Sequence, residues 1–124
     1  MKLNPKLLAG AYVFVHFEPE DWFPAGGLLP DGISAGFMES EGITAIVPID
    51  IARQRGYKYE FVADWIVLQT ETSLEATGIT VKVSRILDDH GINCNVFAPI
   101  HHDHVFVSHG RGQEAVKLLE EIEI

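Results

Sequence analysis

The stretch Tyr59-Glu60-Phe61-Val62-Ala63-Asp64-Trp65-Ile66-Val67-Leu68-Gln69 alternates along its length. Phe61, Ala63, Trp65 and Val67 share one face and Glu60 and Asp64 fall on the other, the two-residue period of a β-strand. After the polar loop Thr70-Glu71-Thr72-Ser73 the period changes. Ile79, Val83, Ile86 and Leu87 recur at i, i+4, i+7 and i+8, and Gly91 stands where a helix closes on a glycine. Ile92, Cys94, Val96 and Ala98 then share a face as far as the break at Pro99. Val105 and Val107 resume the alternation within His104 to Ser108, and Ala115, Leu118, Leu119 and Ile122 return to helical spacing. Strand, helix, strand, strand, helix is a ferredoxin-like unit lacking its last strand. Too few residues follow to supply it, so the strand is expected from the first half.

That half carries its own signals. Ala11 to Phe17 reads as a short strand, Ile33 to Met38 with Ile43 to Ile49 as a hairpin, and Asp50 to Gln54 as a short helix. Gly32-Ile33-Ser34-Ala35-Gly36-Phe37 is similar to Gly91-Ile92-Asn93-Cys94-Asn95-Val96, each introducing a hairpin that turns over an acidic residue and leads into a helix. Between the first strand and its hairpin, Glu18 to Gly32 holds Pro19, Pro24, Pro30, Gly26 and Gly27, which predicts a loop in place of a helix. Trp22, Phe23, Leu28 and Leu29 are expected to pin that loop to the core or to a partner. The reading is an α+β tandem of two ferredoxin-like βαββαβ halves, residues 1–58 and 59–124, with antiparallel sheets, helices on one face and one shared compact core. The first repeat is the degenerate one.

Composition bounds the function. The 124 residues are 47% apolar, enough for a real core and too apolar for disorder. No apolar run approaches the roughly 20 residues of a membrane helix. Nine Lys and Arg against 18 Asp and Glu leave a net charge of −9, which repels nucleic-acid phosphates and anionic membrane surfaces. The N-terminus does not read as a signal peptide, and with one cysteine, Cys94, a reducing cytoplasm is expected.

Chemistry-bearing residues are sparse. His101-His102-Asp103-His104 is the densest group of potential metal ligands, and on a strand His102 and His104 share a face. A closed site needs a third and fourth ligand, and none stands at a recognisable spacing. The cluster therefore reads as the polar tip of a hairpin, with no metal. His90 sits near a helix C-terminus, and His109 precedes Gly110 in a turn. Cys94 falls on an apolar face and reads as a buried, inert thiol rather than a nucleophile. Gly26-Gly27 reads as a turn, and the pairs Asp88-Asp89 and Glu120-Glu121 as solvated helix faces. No nucleophile elbow, phosphate loop or dinucleotide fingerprint occurs, so no catalytic residue and no cofactor are assigned.

A binding signal remains. The loop Thr70 to Gly78 joins the long strand to the first helix, and the next strand opens with Asn93 and Asn95 on its polar face. Free N–H groups at a helix N-terminus suit a carboxylate, and an asparagine amide can meet a carboxylate or an ammonium.

Ile33 to Gly42, Ser73 to Thr80 and Gly91 to Val96 with His102-Asp103-His104 together resemble small bacterial stand-alone proteins of the ACT-domain superfamily. The resemblance implies βαββαβ folds that bind amino acids or other small effectors, commonly where paired domains meet. The family's ligand loop follows the first strand and holds a glycine near the helix start, which Gly78 matches. Gly91-Ile92-Asn93 is similar to the segment where related domains place an effector-contacting asparagine. The expected function is an amino-acid-binding regulatory module without catalysis, a cytoplasmic homodimer, with Ser73, Gly78, Ile79, Asn93 and Asn95 as ligand-binding residues. Two alternatives stand beside it: an ACT-like interaction scaffold with no effector, and a metal-binding protein centred on His101, His102 and His104.

Overall fold

The structure is a computed structural model that describes residues 1–22 and 30–124. It holds strands β1 (Pro5–Leu7), β2 (Tyr12–Phe17), β3 (Ala35–Glu39), β4 (Gly42–Pro48), β5 (Val62–Leu68), β6 (Asn95–Phe97) and β7 (Asp103–Ser108). The helices are α1 (Pro19–Trp22), α2 (Ile49–Arg55), α3 (Ile79–Asp89) and α4 (Gly112–Glu120). The fold is α+β with antiparallel strand pairing, as the periodicities predict.

The chain forms two compact units, one of Gly10–Val62 and one of Met1–Ala9 with Ala63–Ile124. The second is the β5-α3-β6-β7-α4 unit, and the strand it lacks is β1, which pairs antiparallel with β5 through Pro5↔Leu68 to Leu7↔Ile66. Its strands run β1-β5-β7-β6, the ferredoxin-like order with the last strand taken from the N-terminus. Residues 1–9 group with the C-terminal unit because their backbone completes its sheet. Each unit buries an apolar cluster of its own.

In the C-terminal unit, Ile66, Leu68, Val105 and Val107 face Val83 and Leu87 of α3 and Ala115 and Leu119 of α4. Helix α3 closes as its spacing predicts. Gly91, at φ +68°, donates its N–H to the Asp88 carbonyl at 2.9 Å, and Ile92 reaches back to the Leu87 carbonyl at 2.9 Å. This pair of bonds is the left-handed glycine cap, with the apolar Ile92 against the core. Helix α2 closes the same way, Gly56 bonding Arg53 and Tyr57 bonding Ala52.

In the Gly10–Val62 unit, β4 lies between β3 and β2. Val13, Val15, Trp22, Ile33, Ile43, Ala45, Val47 and Ala52 form the cluster. The repeat noted between Gly32–Phe37 and Gly91–Val96 is visible here: Ile33 and Ile92 are both buried ahead of their hairpins. Their turns differ, since Ser40-Glu41 joins β3 to β4 while Ala98–His102, without an acidic residue, joins β6 to β7. The expected loop after β2 is partly corrected, because Pro19 starts the four-residue helix α1, a position where its missing N–H costs nothing. Trp22 is buried and packs edge-on against Phe17 at 5.5 Å, as anticipated. Phe23, Gly26, Gly27, Leu28 and Leu29 lie outside the described residues.

Candidate functional site

The loop between β5 and α3 is tied down at its start. The Thr70 N–H donates to the Leu3 carbonyl at 3.1 Å, and its hydroxyl donates to the Lys2 carbonyl at 2.7 Å while accepting from Asn4 Nδ2 at 3.0 Å. One residue on, Glu71 Oε1 meets His101 Nδ1 at 2.9 Å, which joins the loop to the β6–β7 turn. Ser73 orders the middle: its hydroxyl accepts the Glu75 N–H at 3.1 Å and its carbonyl the Ala76 N–H at 3.0 Å, a serine turn.

The loop delivers the chain to Gly78, the N-cap of α3, at φ +87° and ψ −13°. That left-handed geometry favours glycine. No side chain caps the helix here, and its first turn has no acidic residue. The leading N–H groups of an α-helix have no partner inside the helix and carry the positive end of its dipole. The helix start borders a cavity of about 130 Å³ whose lining includes Ser73, Gly78, Ile79, Thr80, Ala98 and Asp103. The first residues of α3 and the acidic residue Asp103 therefore line the same cavity.

Ser73, Gly78 and Ile79 line this one cavity, and the two asparagines are not in its lining. Asn93 lines a separate cavity of about 500 Å³ with Arg85, Asp88 and Cys94. Its Oδ1 is already used, accepting the Ser108 N–H at 3.2 Å and the Ser108 hydroxyl at 2.7 Å. Asn95 is exposed on β6 opposite Phe106 and lines neither cavity. Asp103, read at first only as part of the histidine run, is the residue that sequence reasoning missed. It opens β7, and its pairing with Leu68 sets it next to the strand that feeds the loop.

The chain matches the ACT domain family over residues 1–64 and again over residues 60–121. It belongs to the ACT domain family. No functionally curated protein matches it. Among solved structures it is similar to a Vibrio cholerae protein of unknown function titled a possible transport protein. The two are 32% identical, with a TM-score of 0.83, covering 100% of this chain and 92% of that one. A protein from Agrobacterium tumefaciens is 21% identical over 96% of this chain and 87% of its own, with a TM-score of 0.69. The ligand-free regulatory subunit of aspartate kinase from Thermus thermophilus shares the fold at 10% identity, TM-score 0.66, over 97% of each chain.

Within this ACT tandem the histidines are dispersed. His104 Nδ1 accepts the Trp65 indole N–H at 2.9 Å, and burial, then the neighbouring His102, holds its pKa below the ordinary histidine value. His101 pairs with Glu71, and His102 keeps Nδ1 buried without a partner among the described residues. Among those residues no three His, Cys, Asp or Glu side chains gather in a metal-binding group. Cys94 is half-buried rather than fully buried, and burial followed by the Asp88 charge pushes its thiol pKa up. His90 caps α3, its Nδ1 2.9 Å from the Ile86 carbonyl. No described helix is long and apolar enough to cross a membrane.

Proposed function

We propose that this ACT protein is a regulatory small-molecule-binding module, without catalysis of its own, whose ligand is a zwitterionic α-amino acid. The observation that carries the reading is that the start of α3, which has no side-chain cap, and Asp103 line the same cavity. The amides of Gly78 and Ile79 receive the α-carboxylate, and Asp103 receives the α-ammonium. Ser73 holds the loop in shape. A multiply charged anion is disfavoured by the net charge of −9. The cavity favours a small side chain, with Leu74 and Val81 supplying apolar contact at its rim. The protein works in the cytoplasm as a homodimer.

A thermal-shift screen of the amino acids and common divalent metals tests this. A ligand specific to the native state at a hundredfold excess over Kd adds about 2.7 kcal/mol of stability. A rise in Tm with at least one neutral amino acid, reduced in Asp103→Asn, is expected. A rise with a metal alone, or with nothing, would reject the reading.

A further inference from the structure

Where β7 turns into α4, the C-terminal unit holds a carboxylate–imidazole pair that amino-acid binding does not use. The Asp64 side chain is 10% exposed, and its Oδ2 accepts the N–H groups of Gly110 at 3.0 Å and Gly112 at 2.9 Å. Its Oδ1 lies 2.6 Å from His109 Nδ1. The chain is shaped for this approach: a Cβ at Gly112 would stand 2.7 Å from Asp64 Oδ2. A carboxylate held by donors on one oxygen is an acceptor on the other, so Nδ1 carries the ring proton. In the neutral imidazole Nε2 then keeps its lone pair. The His109 side chain is 59% exposed, and Nε2 has no hydrogen-bond partner among the described residues. The other histidines lack this combination. His104 Nδ1 is an acceptor, which puts its proton on Nε2. His16 engages Nε2 with Glu18, and His90 Nδ1 meets only a carbonyl. His101 Nδ1 meets Glu71, a carboxylate 61% exposed and therefore shared with water.

We infer that His109 Nε2 is a phosphoryl-acceptor site, modified by small donors that carry phosphate on a protonated nitrogen. An imidazole with a fixed tautomer and an open nitrogen is a nucleophile. The Nε2 lone pair attacks phosphorus and a new N–P bond forms. The donor's P–N bond breaks, and its amine leaves with the bonding pair and the protons it already holds. No proton has to leave Nε2. The positive charge gained by the ring is spread to Nδ1–H and met by Asp64, as a buried carboxylate steadies an imidazolium. Phosphate is the durable modification, because an acylated imidazole hydrolyses readily in water and a phosphoryl group on Nε2 persists at neutral pH. A small donor of low charge also suits a chain of net charge −9 better than a polyphosphate does. His109 lines neither cavity described above, so this site stands or falls independently of amino-acid binding.

Potassium phosphoramidate is the probe, applied to the full chain near neutral pH. Peptide mass spectrometry gives the rate at each histidine, and NMR of phosphorus tells Nε2 from Nδ1 attachment. The wild-type chain should be labelled first at His109, several-fold ahead of His90 and His101, and on Nε2. His109→Gln should remove that fast phase and leave the slower sites unchanged. Asp64→Asn, its fold checked by circular dichroism, should slow His109 to the rate of His101. Should Asp64→Asn fail to fold, the ranking of histidines within the wild-type chain decides alone. Labelling at His109 that is no faster than at His101, or that falls on Nδ1, overturns the inference. Full-rate labelling of His109 in folded Asp64→Asn overturns it as well.

Discussion

Asp64 shows best what a single residue does in this fold. It is the one buried charged side chain among the described residues. Its Oδ2 accepts the N–H groups of Gly110 at 3.0 Å and Gly112 at 2.9 Å, while Oδ1 meets His109 Nδ1 at 2.6 Å. The carboxylate thus anchors the start of α4, where a negative charge is favoured. Asp64→Ala strands these donors and should cost about 1–3 kcal/mol in urea denaturation. Asn93 makes a contrasting case. Because its amide is spent on Ser108, Asn93→Ala should cost about 1 kcal/mol of stability and leave amino-acid affinity unchanged. Gly78 has open space where a Cβ would stand, so Gly78→Ala pays only for its left-handed backbone, about 1–2 kcal/mol. His104 supplies a pH dependence. Its pKa is lower folded than unfolded, so the unfolded chain binds the extra proton. The stability it contributes is complete above its unfolded pKa of about 6.5 and is lost as pH falls through and below that value. The slope of stability between pH 7 and pH 5 should flatten in His104→Gln.

At the scale of elements, the sequence was most legible where one face of a segment meets solvent. Helices α3 and α4 follow their apolar spacing closely, and Gly91 marks the first one's end. Strand β5 was legible as a strand and misread in its faces. Ala63, Asp64, Trp65 and Ile66 are all buried, so alternation there does not separate core from solvent. The supposed polar face, with Asp64, Ile66 and Leu68, is the one that meets the helices. Burial on both sides removes the polar contrast that makes a strand's orientation readable. Strand β1 was invisible for another reason: three residues beginning with Pro5 hold no periodicity, and their place depends on pairing with residues some sixty positions away. The candidate site was half legible. A loop feeding a glycine at a helix start is a local pattern, and Ser73, Gly78 and Ile79 follow from it. Asp103 reaches the cavity through β5–β7 pairing, which no local pattern encodes, and the same long-range register takes Asn93 elsewhere.

Taken whole, the molecule is a tandem of ACT matches with overlapping limits at residues 60–64, each half using a β-hairpin followed by a helix. The halves have diverged where α1 is four residues and α3 eleven. A helix start without a side-chain cap shares a cavity lining with the acidic Asp103 at α3, whose eleven residues give it a helix dipole. The central claim is therefore local: one amino acid, held at the start of α3. The most direct test is a ¹⁵N-resolved NMR titration with the amino acid that raises Tm most. The account predicts saturable shifts concentrated at the amides of Gly78 and Ile79 and at Asp103, with Asn93 and Asn95 unmoved. Saturable binding that shifts Asn93 and Asn95 while leaving Gly78 and Ile79 in place would contradict it.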